Sequence, residues 1–183
     1  MDQVLSQVKE FADRAHGKQT RRYSADPYIV HPMRVMEICR QHTNDLAILA
    51  AAILHDVLED TDVRKDEMDN FLREIMEPGQ AQRTLKFVVE LTDIYVKKNY
   101  PEWNRRKRKS KEADRLSTIS PEAQTIKYAD IIDNSGEIAS HDPDFAQLYL
   151  DEATVLLHKM TKGNKKLHAL ALETVQAEKE MLK

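Results

Sequence analysis

The dipeptide His55-Asp56 places an imidazole beside a carboxylate at the end of an apolar stretch. Residues 46–54 carry no polar side chain, and this predicts a buried helix. Burial without partners costs about 2–7 kcal/mol for a neutral polar group and more for a charge. A divalent metal ion would compensate, and two further acids follow at Glu59 and Asp60. Because residues four apart share a helix face, a helix that continues through Glu59 would place all four groups on one arc.

Two other segments offer metal ligands. His31 precedes Pro32 at the start of a predicted helix, and Asp130 lies on a later helix. The polar side chains of that later helix share one face: Lys127, Asp130, Asp133, Asn134 and Glu137. Two imidazoles and two carboxylates would form a mixed N/O site that suits Mn, Fe or Zn better than Ca. Such an ion would keep open positions for water and substrate, and it would stabilise phosphoryl oxygens.

Each of these features has an ordinary explanation when it is taken singly. A His-Asp dipeptide is usually structural, and the acids of the later helix could form only a solvated face. The joint occurrence of His31, His55-Asp56 and Asp130 among helices favours a metal site. The other five histidines are expected at the surface or at helix ends: His16, His42, His141, His158 and His168.

The elements that would position these groups are all helical. Four glycines in 183 residues, together with abundant Ala, Leu, Glu and Lys, favour helix over sheet. Apolar spacing and capping signals predict an all-α chain with helices over residues 2–16, 31–42, 45–59, 61–76, 80–92, from near 104, 121–139, 143–160 and from 165 to the C-terminus. Residues 93–103 are predicted to be irregular.

Length and composition limit the class of protein. The 183 residues suit one domain, which we expect to span residues 1–183. A net charge of −3 gives no general reason to expect nucleic-acid binding. The single cysteine, Cys39, excludes an intramolecular disulfide and is expected to be an inert core thiol. The N-terminus does not resemble a secretory signal, and no apolar run approaches the roughly 18–20 residues that span a bilayer, so we expect a cytoplasmic protein without membrane contact.

Three segments resemble motifs of a known family. The first runs from residue 15 to 22 and continues through residues 27–32, which include His31. The second is Leu54-His55-Asp56 followed by Glu59-Asp60-Thr61, and the third is Ser120-Pro121 followed by residues 126–134. Their order and spacing resemble the H…HD…D pattern of HD-domain phosphohydrolases. They are similar in particular to the hydrolase domain of RelA/SpoT-type alarmone enzymes and their small stand-alone relatives, such as the metazoan SpoT homologue.

This resemblance covers roughly residues 11–138 and implies a fold, an ion and a reaction. The fold would be a compact, all-helical HD-domain bundle with one Mn²⁺ ion, although other divalent transition metals could replace it. The reaction would be hydrolysis of the 3′-pyrophosphate of (p)ppGpp to GDP or GTP and pyrophosphate. Long members of the family carry synthetase and regulatory domains after this module, and the length of this chain leads us to expect a hydrolase only.

The resemblance also implies roles by motif position. The implied metal ligands are His31, His55, Asp56 and Asp130. Glu59 and Asp60 would act on the nucleophilic water. The implied substrate contacts are Arg21 on the guanine base, Arg22 near phosphate, Asn134 on the nucleoside, and Arg108 and Lys109 within the basic segment. Oligomeric state is not indicated by any feature of the sequence.

The basic segment, residues 97–111, has eight basic residues against one acid, Glu102. A solvated helix face is an equally good interpretation for most of it. A nucleic-acid site is a weaker one, because the chain is acidic overall and shows no aromatic interleaving.

Two positions depart from the family pattern. Alarmone enzymes commonly have Arg or Lys after the last ligand and a small hydroxyl residue seven positions beyond that ligand, where this chain has Ile131 and Glu137. These departures leave room for an HD-family phosphatase or phosphodiesterase that acts on another nucleotide, such as NADPH or a nucleoside phosphate. A catalytically silent helical binding module is a third possibility, which the presence of both Glu59 and Asp60 disfavours.

Overall fold

The computed structural model describes all 183 residues and confirms the all-α prediction. It contains ten helices and no strand: α1 (Asp2–His16), α2 (Val30–Arg40), α3 (Leu46–Leu54), α4 (Val57–Asp60), α5 (Lys65–Ile75), α6 (Pro78–Leu91), α7 (Arg105–Leu116), α8 (Pro121–His141), α9 (Pro143–Lys159) and α10 (Lys165–Met181). The helices form two compact units, Met1–Thr92 and Asp93–Lys183. The expectation of one domain stays a prediction. No helix is both long enough and apolar enough to cross a membrane.

Helix α3 forms the centre of the N-terminal unit. Every residue from Ala47 to Leu54 is buried, as the continuous apolar run predicts. Helices α1, α2 and α6 pack against α3, α5 packs against α6, and α4 contacts α1. The side chain of Asp45 accepts a hydrogen bond from the amide of Ala47 (3.0 Å) and caps the helix. Cys39 is fully buried, as expected.

The prediction that α3 continues through Glu59 is wrong. The helix ends at Leu54, His55 and Asp56 form a turn, and α4 begins at Val57. Nδ1 of His55 lies 2.8 Å from the carbonyl oxygen of Ala52. A continuing helix would offer that same oxygen to the amide of Asp56, so the imidazole competes with the helix for its acceptor. The four reactive groups therefore do not lie on one continuous helix.

Two further boundaries in the N-terminal unit differ from the predictions. Thr61 was expected to cap the next helix, but its hydroxyl donates to the carbonyl of Val57 (2.7 Å) and accepts from the amide of Val63 (3.1 Å). It therefore closes α4, and α5 begins only at Lys65. Helix α6 begins at Pro78 rather than at residue 80, because proline fits the first helical turn.

Helix α8 forms the centre of the C-terminal unit and packs against α9 and α10, while α7 packs against α9. Each of the four helices in this unit begins at a polar residue whose side chain accepts a hydrogen bond from the backbone amide three residues later in the chain. These capping residues are Asn104, Ser120, Asp142 and Asn164. The predicted helix starts near 104 and at 121, 143 and 165 are thereby confirmed.

Residues 93–104 are irregular, as predicted, but they contain an aromatic cluster that the sequence interpretation missed. The rings of Tyr100 and Trp103 stack with their centroids 4.6 Å apart, and Tyr95 lies beside both. The ammonium group of Lys107 lies 4.1 Å from the centroid of the Trp103 ring. Aromatic residues therefore do interleave with the basic run, but they engage one another and a lysine of this chain.

The start of this segment is held by a buried carboxylate on α7. Glu112 is 3% exposed and accepts hydrogen bonds from the amides of Ile94 (3.1 Å) and Tyr95 (2.9 Å). Its other oxygen pairs with the guanidinium of Arg115. The carboxylate is thus satisfied on both oxygens, as a buried charge must be.

Candidate functional site

His31, His55 and Asp56 form the one group of potential metal ligands in the N-terminal unit. Their donor atoms all lie within 4.8 Å of one another. Nε2 of His55 is 3.2 Å and Nε2 of His31 is 3.7 Å from Oδ2 of Asp56. The two histidines are 1% and 3% exposed, and the Asp56 side chain retains 21% exposure. Three of the four predicted ligands are therefore adjacent, and the carboxylate opens towards solvent.

The chemistry of these donors fits a divalent transition ion. The carbonyl of Ala52 can only accept, so Nδ1 of His55 carries the proton and its Nε2 presents a lone pair towards Asp56. Metal-binding histidines in proteins are commonly oriented by such a second hydrogen bond. Two donors about 2.1 Å from one ion and at right angles to each other lie about 3 Å apart. The 3.2 Å between His55 and Asp56 is close to that spacing, and the 3.7 Å between His31 and Asp56 is wider.

A tyrosine hydroxyl links this cluster to the neighbouring acid. Oη of Tyr28 lies 2.7 Å from Oδ2 of Asp56 and 3.0 Å from Oδ2 of Asp60. Burial, followed by the charge of Asp56, raises the pKa of Tyr28 far above its ordinary value, so the hydroxyl stays protonated and donates. Partial withdrawal from solvent, then the charge of Asp56, also raises the pKa of Asp60 above that of an ordinary aspartate. Asp60 is therefore a better proton acceptor than a fully solvated carboxylate.

The loop between α1 and α2 holds these groups from the other side. The side-chain nitrogen of Gln19, Nε2, donates to the backbone carbonyl of Asp60 (2.8 Å). Its side-chain oxygen, Oε1, lies 2.9 Å from Nδ1 of His16. His16 was expected at the surface or at a helix end. It is the last residue of α1, but it is 4% exposed and stacks on Tyr28 with ring centroids 4.3 Å apart. It is buried because it lies four residues after Ala12, on the buried face of α1.

The two arginines predicted to bind substrate, Arg21 and Arg22, lie in this same loop. The guanidinium of Arg21 is 5.6 Å from the centroid of the Tyr28 ring, and that of Arg22 is 5.1 Å from the Tyr23 ring. Glu59, the second predicted catalytic acid, is exposed on α4, and its amide bonds to the carbonyl of Asp56 (3.1 Å). Arg21 therefore lies beside Tyr28, whose hydroxyl joins Asp56 to Asp60.

The fourth predicted ligand, Asp130, belongs to the C-terminal unit and is 5% exposed on α8. Nζ of Lys127 lies 2.8 Å from its Oδ2, and the side-chain amide of Asn134 donates to its Oδ1 (2.7 Å). A cation therefore contacts this carboxylate, and the predicted nucleoside contact lies one helical turn further along.

Asp130 and Asn134 line a cavity of about 740 Å³ within the C-terminal unit. Volumes of roughly 300–1,000 Å³ are typical of small-molecule sites. Its cationic lining consists of Arg105, Arg106, Lys109 and Lys127, and its apolar lining includes Ile131, Leu148 and Leu156. The lining also contains five acids, Asp93, Glu112, Asp130, Asp151 and Glu152, so the cavity combines charges of both signs with apolar surface.

The basic segment contributes to this cavity differently from the prediction. Lys109 lines it, 3.4 Å from a carboxylate oxygen of Asp93. Arg108 does not line it, and its guanidinium donates to the carbonyl of Trp103. Arg106, which the sequence interpretation did not single out, lies in the lining.

Tyr149 is a second lining residue without a sequence signal. Its pKa is raised above the ordinary value by burial, then by the charge of Asp130. Ile131, which departs from the family pattern, is 2% exposed and forms part of the lining, whereas Glu137 does not. The apolar residue after the last predicted ligand is therefore part of the cavity wall.

Comparisons with known proteins indicate the family of this chain. Residues 28–135 match the HD domain family model. The chain is 32% identical over 143 residues to the human guanosine-3′,5′-bis(diphosphate) 3′-pyrophosphohydrolase MESH1, covering 76% of this chain and 72% of that protein. It is 46% identical over 67 residues to a Vibrio cholerae protein named guanosine-3′,5′-bis(diphosphate) 3′-pyrophosphohydrolase. That match covers 37% of this chain and only 9% of the Vibrio protein.

The fold has a counterpart among solved structures. A structure described as a metazoan orthologue of SpoT that hydrolyses ppGpp superimposes with a TM-score of 0.79 and 23% sequence identity. The match covers 96% of this chain and 95% of that one, so the two share a fold. With the family match over residues 28–135 and the similarity to the human protein, the chain belongs to the HD-domain family, in its RelA/SpoT-type group.

Proposed function

We propose that this protein is a metal-dependent hydrolase that removes the 3′-pyrophosphate of (p)ppGpp, giving GDP or GTP and pyrophosphate. The observation that carries the proposal is the buried His31, His55 and Asp56 cluster, in which the Ala52 carbonyl fixes the donor nitrogen of His55. The human relative, which shares 32% identity over most of this chain, is named for that reaction. We further propose residues 1–183 as one functional domain, located in the cytoplasm.

The proposed ion is a single Mn²⁺, although the same donor set would also accept other divalent transition metals. Asp130 is the proposed fourth ligand, as the family motif implies. When bound, such an ion lowers the pKa of a coordinated water and offsets negative charge on phosphoryl oxygens. Nζ of Lys127, which lies 2.8 Å from Oδ2 of Asp130, would share this carboxylate with the ion or be displaced by it.

Glu59 and Asp60 are the proposed catalytic acids. In the reaction a water oxygen forms a bond to phosphorus while the bond from phosphorus to the 3′ oxygen breaks, and the nucleoside oxygen takes up a proton. A carboxylate near the attacking water can orient it and accept its proton. The raised pKa of Asp60 supports the proton-accepting role, and the exposed position of Glu59 leaves it accessible to substrate.

Cationic and polar residues would bind the nucleotide. Arg21 is proposed to stack on guanine and Arg22 to lie near phosphate, while Asn134 contacts the nucleoside. For the pyrophosphate we favour Lys109 together with Arg106, because both line the cavity. Arg108 does not line the cavity, and one of its guanidinium nitrogens donates to the Trp103 carbonyl.

A second candidate is an HD-family phosphatase or phosphodiesterase for another nucleotide. Ile131 favours it, because an apolar side chain lines the cavity where alarmone enzymes commonly have a cation. A neutral wall there reduces the electrostatic attraction for a polyphosphate. The metal cluster and the two acids would be the same in both candidates.

The deciding experiment is a substrate panel with purified protein loaded with Mn²⁺. We expect pyrophosphate and GDP to be released from ppGpp, with much slower turnover of NADPH, nucleoside phosphates and cyclic dinucleotides. The Glu59→Gln variant, which keeps the size of the side chain, should bind Mn²⁺ but lose turnover. Faster turnover of another nucleotide would establish the second candidate, and metal binding without any turnover would indicate a binding module.

A further inference from the structure

Tyr28 occupies a central position among the groups that are proposed to act in catalysis. Its hydroxyl contacts two carboxylates, Asp56 at 2.7 Å and Asp60 at 3.0 Å. These two acids have different proposed roles, one as a metal ligand and the other as a proton acceptor. One hydroxyl therefore connects the group that holds the ion to the group that handles water.

The ring of Tyr28 is fixed by groups from the loop and from α1. His16 stacks on it at 4.3 Å with an interplanar angle of 27°. The guanidinium of Arg21 lies 5.6 Å from the ring centroid, within the range of a cation–π contact. The edge of His31 faces the same ring, with centroids 6.2 Å apart and an interplanar angle of 80°. A ring held in this way cannot turn freely, so the position of its hydroxyl is defined.

The two carboxylates need such a link because each repels the other. The charge of Asp56 contributes to the raised pKa of Asp60. A hydroxyl between two carboxylate oxygens reduces this repulsion, since it donates to one oxygen while it remains close to the second. Gln19 fixes the backbone of the same acid through the Asp60 carbonyl. Side chain and backbone of Asp60 are thus both tied to the loop that carries Arg21.

We propose that Tyr28 is a positioning residue: its hydroxyl sets the spacing of Asp56 and Asp60, and its ring sets the position of the base-binding guanidinium. This inference rests on the proposed function, because it assigns Tyr28 a part in the same reaction. The hydroxyl and the ring of Tyr28 should then influence different measurable properties of the enzyme. The hydroxyl should affect metal affinity and kcat, and the ring should affect KM through Arg21.

Two variants separate the hydroxyl from the ring. Tyr28→Phe removes the hydroxyl and keeps the ring, whereas Tyr28→Leu removes both. Tyr100→Phe is the matched control, because it removes a phenol hydroxyl from the aromatic cluster of the C-terminal unit. For each protein, Mn²⁺ affinity is measured by calorimetry, kcat and KM are measured with ppGpp, and folding is followed by circular dichroism.

We expect Tyr28→Phe to weaken Mn²⁺ binding and lower kcat by about tenfold each, the lower end of the range for losing a hydrogen-bond partner of a metal ligand. Its KM should stay within about twofold of wild type. Tyr28→Leu should show the same losses and raise KM by about two- to fivefold, as expected for loss of an exposed cation–π contact. Tyr100→Phe should match wild type in all three quantities.

Wild-type Mn²⁺ affinity and kcat in Tyr28→Phe would overturn the role of the hydroxyl, and equal KM values in the two variants would overturn that of the ring. If Tyr28→Leu fails to fold, Tyr28→Phe alone decides the first point, and Arg21→Ala, measured beside it, decides the second. An unchanged KM in Arg21→Ala would overturn the ring's role. If the wild-type protein binds Mn²⁺ but leaves ppGpp intact, the proposed function fails, while the calorimetry still tests whether Tyr28 positions Asp56.

Discussion

The two units hold their reactive carboxylates in different ways. In Met1–Thr92, a phenol hydroxyl, a backbone carbonyl and an edge-on contact between the two histidine rings fix Asp56 and its neighbouring histidines. In Asp93–Lys183, carboxylates are held by ion pairs, as in Lys127–Asp130, Lys109–Asp93, Arg105–Glu152 and Arg115–Glu112. Hydrogen bonds from neutral groups preserve a geometry whatever the ionic surroundings, whereas an ion pair can exchange one partner for a ligand. The first unit is therefore suited to a fixed metal centre and the second to binding and releasing a charged substrate.

The largest effect should come from His55→Ala. The variant loses an imidazole that the Ala52 carbonyl orients, and Mn²⁺ binding should weaken by more than the roughly 10–100-fold that loss of an outer partner causes. Turnover should disappear with it. Calorimetry with Mn²⁺ measures the first quantity, and His158→Ala, an exposed histidine of α9, serves as the control. Full Mn²⁺ occupancy in His55→Ala would remove this residue from the ligand set.

Calorimetric titration of Asp130→Ala with Mn²⁺ tests whether this residue of the C-terminal unit is the fourth metal ligand. We expect metal binding to be lost in this variant too. If Asp130→Ala keeps wild-type Mn²⁺ affinity, the carboxylate serves only as the partner of Lys127 and Asn134. The metal centre would then depend on the N-terminal unit alone.

The next effect concerns the stability of the C-terminal unit. Glu112→Ala leaves the amides of Ile94 and Tyr95 and the guanidinium of Arg115 without their buried acceptor. Breaking a buried charged network of this kind lowers the free energy of unfolding by about 3–5 kcal/mol. Urea denaturation measures the change, and Glu173→Ala on the exposed face of α10 should stay within about 0.5 kcal/mol of wild type. A loss below about 1 kcal/mol would mean that ion pairs contribute little to this unit.

A smaller loss of stability is expected when a side chain is added at Gly163, which is tightly packed. A Cβ on Gly163 would lie 2.5 Å from a ring carbon of Tyr128 and 2.9 Å from the backbone nitrogen of Thr125. Because Tyr128 is fully buried, Gly163→Ala should lower the free energy of unfolding by about 1–3 kcal/mol. Gly79→Ala is the control: nothing lies within 4 Å of its added Cβ in α6. That variant should gain up to about 1 kcal/mol, so an equal loss in both would contradict the packing argument.

Helix starts were predictable because their signals are local. Asn104, Ser120, Asp142 and Asn164 each bond to an amide three residues away, so a few neighbouring residues carry the whole signal. The end of α3 was not predictable in the same way. There a side chain competes with the backbone for the carbonyl of Ala52, and hydrophobic periodicity contains no sign of that competition.

The residues of the candidate site also differ in whether the sequence could predict them. His31, His55 and Asp56 could be predicted because their residue types are themselves the chemical signal. The part played by Tyr28 depends on bonds to residues 28 and 32 positions away. Since such contacts exist only in the folded chain, no spacing rule could have assigned it. Arg106 was missed for a related reason: within a run of similar cations, only the cavity distinguishes it from Arg108.

The smallest expected effect comes from the charge of Lys127. Removing that charge should strengthen the binding of Mn²⁺ and weaken the binding of ppGpp, so it tests the comparison of the two units directly. Nζ of Lys127 lies 2.8 Å from Oδ2 of Asp130 and also lines the cavity. The ammonium competes with a metal ion for the carboxylate and attracts phosphate from substrate. Lys127→Met keeps the length of the side chain and removes its charge, so Mn²⁺ affinity should rise severalfold. KM for ppGpp should also rise severalfold, since the nucleotide loses a cationic partner.

Lys127→Arg completes this test because it restores the positive charge with a different shape. It should return both Mn²⁺ affinity and KM towards wild-type values, and calorimetry and steady-state kinetics measure the two quantities separately. A Lys127→Met variant with weaker metal binding would contradict the competition, because the ammonium would then be supporting the carboxylate as a ligand. An unchanged KM would place phosphate elsewhere in the cavity, with Arg106 and Lys109. Weaker binding of both Mn²⁺ and ppGpp would mean that the ion pair is part of a fixed structure, as in the N-terminal unit, rather than an exchangeable contact.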